Sequence, residues 1–341
     1  MHAEFTRDDI DVFKPPSLAA YLEGDAIAVV EDGRAEGIVL QARWTREDGL
    51  RIVEWCKGIS PLGQRRAVLA ALRAAFGASR DSKSIVLDTG KLHPDALDGL
   101  RYGGVLTAQN VCMRDAWAQQ PDLWLTRAVS IPVTALSYAM TDSARHPRRA
   151  PYRDGVVYVR DVPEFGHRFT LRTASVAQDL ERLHAWMNEA RVNAFWNEAG
   201  TLDAHRAYLE RVLSTPHMHP LVGAFDDEPF GYFEAYWAKE DRIAPFAAST
   251  DFDRGLHMLV GDTRWRGAEC VAAWLPSLVH YLFLDDPRTQ AVVCEPRYDN
   301  ARMIDYLKRH GFSSIAPFDF PHKRALLMRV IREAFFDGRH L

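Results

Sequence analysis

Residues 251–312 read DFDRGLHMLVGDTRWRGAECVAAWLPSLVHYLFLDDPRTQAVVCEPRYDNARMIDYLKRHGF, and this stretch decides the fold. It contains two short apolar runs, 256–260 and 291–294, and between them residues 271–284 carry bulky apolar side chains at helical spacing. The pattern predicts two parallel strands joined by a helix, with the turn 264–267 at the carboxyl end of the first strand. Unpaired N–H groups at the start of that helix attract anions, so we expect a phosphate there.

Length and composition limit the classes of protein that fit. The chain has 341 residues, of which 47% are hydrophobic, and a formal net charge of −4. This length suits two domains, and the charge argues against a general nucleic-acid binder. No apolar run reaches the length of a membrane span, and the acidic start MHAEFTRDDIDVF does not resemble a signal peptide, so we expect a cytoplasmic protein. The four cysteines are scattered, which favours free thiols, and no metal is expected.

The order of elements in this stretch has a parallel in the first half of the chain. Residues 25–56 alternate in strand fashion between Glu-Asp-Gly turns, which predicts an antiparallel meander. A helix over 62–76, the strand SIVLD, a helix over 93–100 and a strand over 105–113 follow. We interpret the first half as a degenerate, structural copy of the later unit, because it lacks the Arg-x-x-Gly turn and the asparagine. A chance likeness of two α+β segments is the alternative.

A basic, proline-bearing segment, RHPRRAP at 145–151, separates the two halves. We therefore predict a structural domain over 1–144, a linker over 145–155 and a catalytic domain over 156–341. A run of charges is most often a solvated surface, and we prefer this interpretation of the arginines to contact with a coenzyme. The second domain is predicted to open with strands, two helices and a hairpin, and to close with a strand over 325–331.

The turn before the helix, the apolar strand after it and Asn300 ahead of Gly311-Phe312 resemble the GCN5-related N-acetyltransferase (GNAT) superfamily. The strings HPRRAPYRDGVVYVR, GYFEAYWAKEDRI, DRGLHMLVGD, CEPRYDN and DFPHKRALLMRVIREAFF resemble its siderophore-biosynthesis branch. The resemblance covers roughly residues 146–336. It implies an α+β fold of two GNAT-like units, each a mixed, centrally splayed β-sheet flanked by helices, the first being degenerate.

Acyl transfer from a thioester needs anchored phosphates, a polarised carbonyl, a neutral amine in line and release of the thiolate. Gly267 lets the backbone approach a pyrophosphate, and nearby arginines can pair with it; a solvent-facing helix cap is the alternative. The coenzyme contacts that the resemblance implies are Leu259, Val260, Arg264, Arg266, Gly267, Ala268 and Asn300.

His257 lies in the strand that leads to the turn, and at ~3.3 Å per residue roughly 17 Å separates it from Asp262. This suits a coenzyme whose phosphates and thioester lie at opposite ends. We expect the imidazole to accept a proton from the attacking nitrogen, with Glu295 and Asp299 holding the acceptor or the histidine tautomer. A core histidine and a helix-capping Asp299 are the alternatives. The side chains expected to line the acceptor pocket are Trp196, Glu234, Tyr236, Trp237 and His322.

One position departs from the superfamily pattern. Many members carry a tyrosine that protonates the thiolate, and Leu307 stands at that place here, with Tyr306 turned ~100° away on the helix. The group that protonates the thiolate therefore stays open, with water and His257 as candidates.

The resemblance implies an enzyme that uses acetyl-CoA or another acyl-CoA as co-substrate and acylates the hydroxylamine nitrogen of an N-hydroxylated diamine or diamino acid. The product is a hydroxamate for a siderophore. Acetyl-CoA and N-hydroxylysine form the first pair to test. The rivals are an ordinary amine or protein N-acetyltransferase and a noncatalytic acyl-CoA sensor. We expect no nucleic-acid or membrane partner, and homo-oligomerisation stays open.

Overall fold

The computed structural model describes residues 18–31, 37–126, 136–141 and 144–338. The described residues up to 126 form one compact unit, and those from 136 onward form a second. Within the described residues, no helix is long and apolar enough to cross a membrane.

The first unit is a six-stranded sheet with helices against it. Its strands lie in the order β1-β2-β3-β4-β5-β6, antiparallel except for the parallel pair β4 and β5. The crossover helix α1 starts at a serine cap and buries one apolar face against the sheet. The elements are β1 (Leu18–Glu23), β2 (Ala26–Glu31), β3 (Ile38–Thr45), β4 (Gly49–Trp55), α1 (Pro61–Ala78), β5 (Ser84–Asp88), α2 (Pro94–Tyr102), β6 (Val111–Met113) and α3 (Arg114–Ala118).

The second unit begins with a small hairpin, and its main sheet then starts on two antiparallel strands. Three helices follow these strands, and a long antiparallel hairpin brings the chain back into the sheet. The elements of this first part are β7 (Tyr138–Met140), β8 (Arg145–Pro147), β9 (Val156–Val162), β10 (His167–Thr173), α4 (Val176–Met187), α5 (Ala190–Trp196), α6 (Leu202–Ser214), β11 (Met218–Phe225) and β12 (Glu228–Trp237).

The organising stretch completes this sheet, whose strand order is β15-β16-β14-β13-β12-β11-β10-β9. The elements of this second part are α7 (Ala244–Ala247), β13 (Arg254–Val260), α8 (Ala268–Asp285), β14 (Ala291–Cys294), α9 (Ala301–Arg309), β15 (Ser313–Phe320), β16 (Lys323–Ile331) and α10 (Arg332–Asp337). Helix α8 is buried along most of its length, which explains why its sequence is apolar on nearly every side.

The sheet is splayed at its only parallel pair among the described strands of this unit. Strand β13 pairs with β12 as far as Val260, but it pairs with β14 only at Arg254 and Gly255. Beyond Gly255 the two parallel strands diverge and leave a gap at their carboxyl ends. The predicted α+β class, with a mixed and centrally splayed sheet, is therefore confirmed.

The two units share the arrangement of parallel strand, crossover helix, parallel strand and short helix. Helices α1 and α8 each have 18 residues, and α2 and α9 each have 9. The first unit has no counterpart among its described residues to helices α4, α5 and α6. It is thus the reduced form of the same plan, in agreement with the predicted degenerate copy.

The segment predicted as a solvated linker is packed against the second unit. The Arg149 side chain is only 5% exposed, and its guanidinium donates two hydrogen bonds to the Glu240 carboxylate, at 2.6 and 2.7 Å. The same guanidinium lies 4.1 Å from the centre of the Trp237 ring. The prediction of a solvated charge run was wrong for Arg149, because a buried carboxylate and an aromatic ring compensate its charge.

Some element boundaries also differ from the predictions. The strand predicted over 105–113 is limited to Val111–Met113, because a turn at 107–110 brings Leu106 opposite Cys112. Strands β1 and β15 and helix α5 were not predicted. Strand β15 alternates poorly between polar and apolar residues, since most of its side chains are exposed at the sheet edge.

Candidate active site

A cleft of about 750 Å³ opens where β13 and β14 diverge. Helices α5 and α6 cover one side of it, and the loop after β12 and the turn before β16 border it. Its polar lining includes several acids and bases that lie in contact with one another or nearby, and its apolar lining includes the neighbouring rings of Phe195 and Trp196. The lining residues used below are Phe195, Trp196, Tyr208, Glu234, Asp241, Arg242, His257, Glu295, Asn300, His322 and Lys323.

His257 lies between two carboxylates in this cleft. Its Nδ1–H donates to Glu234 Oε2 at 2.9 Å, and its Nε2–H donates to Glu295 Oε1 at 2.9 Å. Strand pairing explains this placement, since Glu234 is directly opposite His257 on β12, and Glu295 follows β14 across the splay. The His257 side chain is 16% exposed, whereas both glutamates are almost fully buried.

Three tyrosines hold the two carboxylates in place. Tyr232 and Tyr208 both donate hydrogen bonds to Glu234 Oε1, the first at 3.0 Å. Tyr236 donates to Glu295 Oε2 at 2.9 Å, and its ring packs against His257. A side chain at Gly255 would collide with the Tyr236 ring, because an added Cβ would lie 1.9 Å from it. The glycine in the Asp-Arg-Gly-Leu-His string is therefore required for this contact.

The charges of the cluster stabilise one another. Burial lowers the pKa of His257, but the negative charges of Glu295 and Glu234 and their hydrogen bonds outweigh burial and raise it to about 10. Burial likewise raises the pKa of Glu295, while the charge of His257 lowers it to about 2, and the pKa of Glu234 is also lowered. Near pH 7 the cluster is an imidazolium between two carboxylates. The expected role of His257 as proton acceptor does not fit these contacts, because both ring nitrogens already donate.

Two further cations lie beside Glu295. Lys323 Nζ donates to the Glu295 carbonyl oxygen at 2.9 Å and lies 3.7 Å from its carboxylate. The Arg242 guanidinium lies 3.7 Å from the same carboxylate, and its side chain is half exposed. Asp241, which is 8% exposed, completes the polar lining on this side. Four of these residues were not predicted: Tyr208, Asp241, Arg242 and Lys323. The last three lie in the strings AKEDRI and DFPHKR.

The turn before α8 fits an anion. Gly267 has a φ of +120°, a value that favours glycine, and open space surrounds the position of an added Cβ. It caps the helix without a side-chain hydrogen bond, so the first N–H groups of α8 have no side-chain cap. Arg266 is exposed beside it. The Arg264 guanidinium instead binds Asp262, at 2.7 Å, and Glu228, at 3.0 Å, so its predicted phosphate contact requires exchange of these partners.

Leu259 and Val260, at the end of β13, were predicted to contact the coenzyme. The Leu259 side chain is buried among α4 and α6 side chains, so only its backbone is available to a ligand. The Val260 carbonyl accepts a hydrogen bond from Arg191 Nη1 at 2.7 Å. Ala268 starts α8 and is exposed. Asn300 caps α9 through Met303 N–H and also lines the cleft, so both of its predicted roles remain possible in geometry.

Other expected site residues divide into those near the cleft and those away from it. Trp196 and His322 line the cleft, and the Trp196 ring lies edge-on to His257. Tyr236 does not line the cleft, and its hydroxyl donates a hydrogen bond to Glu295, which does. Trp237 is buried outside the lining, with its ring 4.2 Å from the Arg254 guanidinium. Asp299 is mostly exposed and forms two hydrogen bonds with Arg297, and no contact with His257 is present among the described residues.

Comparison with known proteins agrees with this geometry. Residues 175–320 match the family model described as "Acetyltransferase (GNAT) domain". The chain is 42% identical over 67% of its length to the N(6)-hydroxylysine O-acetyltransferase of Escherichia coli, covering 72% of that protein. It is 46% identical to the N(5)-hydroxyornithine:cis-anhydromevalonyl coenzyme A-N(5)-transacylase SIDF of Beauveria bassiana, over 56% of this chain and 43% of that one. It is 31% identical to the acyltransferase ato1 of Omphalotus olearius, over 97% of this chain and 88% of that one.

The splayed sheet, the open glycine turn and these matches define the class: the chain belongs to the GNAT acetyltransferase family, and it is an acyltransferase. Within that family it groups with the siderophore-biosynthesis branch, as the resemblance of its sequence strings predicted. An acyl-CoA co-substrate follows from the family.

Proposed function

We propose that this enzyme transfers an acyl group from acyl-CoA to the hydroxylamine nitrogen of an N-hydroxylated diamine or diamino acid, with N-hydroxylysine and acetyl-CoA as the first pair to test. The product is a hydroxamate for a siderophore. The observation that carries the proposal is the buried cluster of Glu234, His257 and Glu295 in the cleft. Relatives whose names specify hydroxylysine and hydroxyornithine support the acceptor class.

The cluster suits an acceptor that is already neutral. A hydroxylamine is less basic than an alkylamine, so its nitrogen carries a lone pair near pH 7 without prior deprotonation. Glu234 and Glu295 remain ionised, and a carboxylate oxygen can accept more than one hydrogen bond. An acceptor N–OH group can therefore donate to them. An alkylammonium, with an ordinary pKa of about 10.4, carries no lone pair near pH 7 and must first lose a proton, which disfavours an ordinary amine.

Direct attack in a ternary complex fits the layout. The phosphates bind at the Gly267 turn, and the thioester end of the coenzyme extends along the splay toward His257. The hydroxylamine nitrogen attacks the thioester carbonyl, the C–N bond forms, and the C–S bond breaks with its electron pair on sulfur. The positive charge of Lys323 stabilises the negative charge that develops during this step.

Arg242 favours an acceptor that carries a carboxylate. Its guanidinium is half exposed in the cleft, and Glu295, its partner at 3.7 Å, is shared with His257 and Lys323. A free α-carboxylate can pair with such a guanidinium, which a decarboxylated diamine cannot do. This supports a hydroxylated diamino acid over a hydroxylated diamine.

A panel of acyl-CoA donors and N-hydroxylated acceptors, read by release of free coenzyme A thiol, tests the proposal. We expect turnover with hydroxylated amino acids. Mass spectrometry and ferric-complex formation then identify the product, because an N-acyl hydroxamate binds iron and an O-acyl hydroxylamine does not. Thiol release with an O-acyl product contradicts acylation at nitrogen. Coenzyme binding without any acylated product supports the sensor alternative.

A further inference from the structure

The attacking nitrogen must lose a proton, and the cluster of Glu234, His257 and Glu295 has little capacity to accept it. His257 donates from both ring nitrogens and is protonated near pH 7. All four carboxylate oxygens of Glu234 and Glu295 already accept hydrogen bonds from His257 or a tyrosine. A proton placed on either glutamate would also leave the buried imidazolium with one counter-charge fewer. Another group that borders the same cleft is better placed to serve as the base.

Asp241 has the geometry of such a base. It lines the cleft in the loop after β12, and its side chain is 8% exposed. Its Oδ1 accepts the Ile243 N–H at 3.0 Å, and Ile243 is fully buried, so the carboxylate is held in a fixed orientation. Its Oδ2 lies 4.0 Å from His217 Nε2 and has no hydrogen-bond partner among the residues that the structure describes.

We propose that Asp241 accepts the proton that the attacking nitrogen loses. This inference rests on the proposed function. As the C–N bond forms and the C–S bond breaks, the N–H proton moves to Asp241 Oδ2, and the electron pair of the C–S bond leaves with sulfur. The carboxylic acid then returns its proton to the coenzyme thiolate or to water, which restores the carboxylate for the next cycle.

The surroundings of Asp241 make it a stronger base than an exposed aspartate. Burial raises its pKa, and the charge of Glu295 adds to this effect. The charges of His257 and Arg242 and the hydrogen bond from Ile243 oppose it without cancelling it. His217 and Tyr236 are further titratable neighbours. Burial lowers the pKa of His217 and raises that of Tyr236, so both add little charge near pH 7. A proton acceptor with a pKa nearer to the working pH is more effective in catalysis.

His322 is the rival base in the cleft. Its pKa is lowered, by desolvation first and by the charges of Arg242 and Lys323, so it is neutral near pH 7. It is exposed, however, and its ring is stacked on Phe320 with centroids 5.5 Å apart. No hydrogen bond is recorded for the His322 ring within the described part of the chain, so its orientation is less restricted than that of Asp241. We therefore assign the base to Asp241.

The test compares Asp241→Asn, Asp241→Ala and His322→Gln with wild type on N-hydroxylysine, with Asp305→Asn, an exposed carboxylate on α9, as a control outside the cleft. We expect Asp241→Asn to lower kcat by about 100-fold or more, with coenzyme affinity and thermal unfolding close to wild type. Asp241→Ala should regain part of its turnover in formate, whereas formate leaves wild type unchanged. The fall of wild-type kcat at acid pH should disappear in Asp241→Asn. Asp305→Asn should retain wild-type turnover.

Three results would overturn the role of Asp241. The first is a kcat of Asp241→Asn within about threefold of wild type, and the second is an Asp241→Asn variant in which only the acceptor KM rises. The third is a fall of kcat at acid pH that disappears in His322→Gln but not in Asp241→Asn. If the asparagine variant unfolds, the formate response of Asp241→Ala decides, and no response counts against the role. Wild type that forms no hydroxamate overturns the proposed function, which is a separate outcome from an active Asp241→Asn.

Discussion

The protonation state of His257 gives the most quantitative prediction. Each of its ring nitrogens lies 2.9 Å from a carboxylate oxygen. A charge pair with centres about 4 Å apart is worth roughly 4 kcal/mol at an effective dielectric constant near 20, or about 3 pKa units at ~1.4 kcal/mol each. Burial opposes this attraction, and the net result is a pKa of about 10. Replacing Glu295 by glutamine removes one of the two charges, so we expect the pKa of His257 to fall by about 2 to 3 units.

The assay is a pH titration of histidine ring signals by NMR on protein labelled with carbon-13, with His257→Asn identifying the signal. Wild type should titrate near pH 10 and Glu295→Gln at a lower pH. Asp299→Asn, which removes an exposed carboxylate outside the cleft, serves as the matched control and should leave the signal unchanged. A wild-type His257 that titrates near its ordinary pKa of 6.5, or one that Glu295→Gln does not shift, would refute the imidazolium cluster.

The same cluster makes folding stability depend on pH. The pKa of His257 in the folded state, about 10, lies above its unfolded value of 6.5, so its contribution is complete below pH 6.5 and is lost as the pH rises through 10. The pKa of Glu295 is lowered to about 2, so its contribution is present above its ordinary 4.5 and is lost as the pH falls through 2. Urea unfolding should therefore show a loss of a few kcal/mol between about pH 6.5 and 10.5 that His257→Asn no longer shows.

Three other changes have defined outcomes. Gly267→Asp should raise the coenzyme dissociation constant at least about tenfold, because it adds negative charge and a Cβ at a φ of +120°, and unchanged binding by calorimetry would exclude the turn as the phosphate site. Arg242→Gln should raise KM about tenfold for N-hydroxylysine but not for N-hydroxycadaverine, which lacks the carboxylate; equal effects on both would remove the proposed carboxylate contact. Gly255→Ala should lower the free energy of unfolding by about 1 to 3 kcal/mol, as measured in urea, because the new methyl group overlaps the Tyr236 ring, and wild-type stability would show that the ring can move.

The part of the fold that sequence patterns predicted best is the organising stretch. Residues 256–260 and 291–294 are apolar runs with turn residues at their ends, and they form β13 and β14 almost as predicted. Helix α8 was identified from the same kind of pattern. Strand β15 was not, because its exposed side chains do not alternate. Periodicity reports burial, and an edge strand with little burial gives no such signal.

In the site, sequence patterns predicted residues but not their contacts. His257, Glu295 and Glu234 were selected, yet their mutual distances depend on the register of β12 with β13 and on the splay, which no local pattern specifies. The proton-acceptor role expected for His257 assumed a free ring nitrogen. Asp299 was selected from its position in a loop, and its pairing with Arg297 is a contact that the loop position did not predict. Asp241 is one of two adjacent acids in the charged string Lys-Glu-Asp-Arg, which gives no distinct signal.

We also propose a structural role for the first unit, and strand register supports it. In the second unit, His257 and Glu295 each lie two residues beyond the parallel pair Gly255 and Val293. Two residues beyond the corresponding pair of the first unit, Arg51 and Asp88, lie Val53 and Gly90. Ser60 caps α1 through Gly63 N–H at 3.1 Å, whereas Gly267 leaves the start of α8 without a side-chain cap. We expect no coenzyme at this unit, and coenzyme density against residues 84–88 in a soaked crystal would contradict this.

The measurement that tests the central claim most directly is a competition between N-hydroxylysine and lysine at equal concentration with limiting acetyl-CoA. Products are separated and identified by mass spectrometry, and iron binding distinguishes hydroxamate from other acylated species. The account predicts that the hydroxamate of N-hydroxylysine dominates by about 100-fold or more, because lysine is an ammonium with an ordinary pKa of about 10.4 and must lose a proton before its nitrogen can attack. Equal acylation of both, or preferential acylation of lysine, would contradict it.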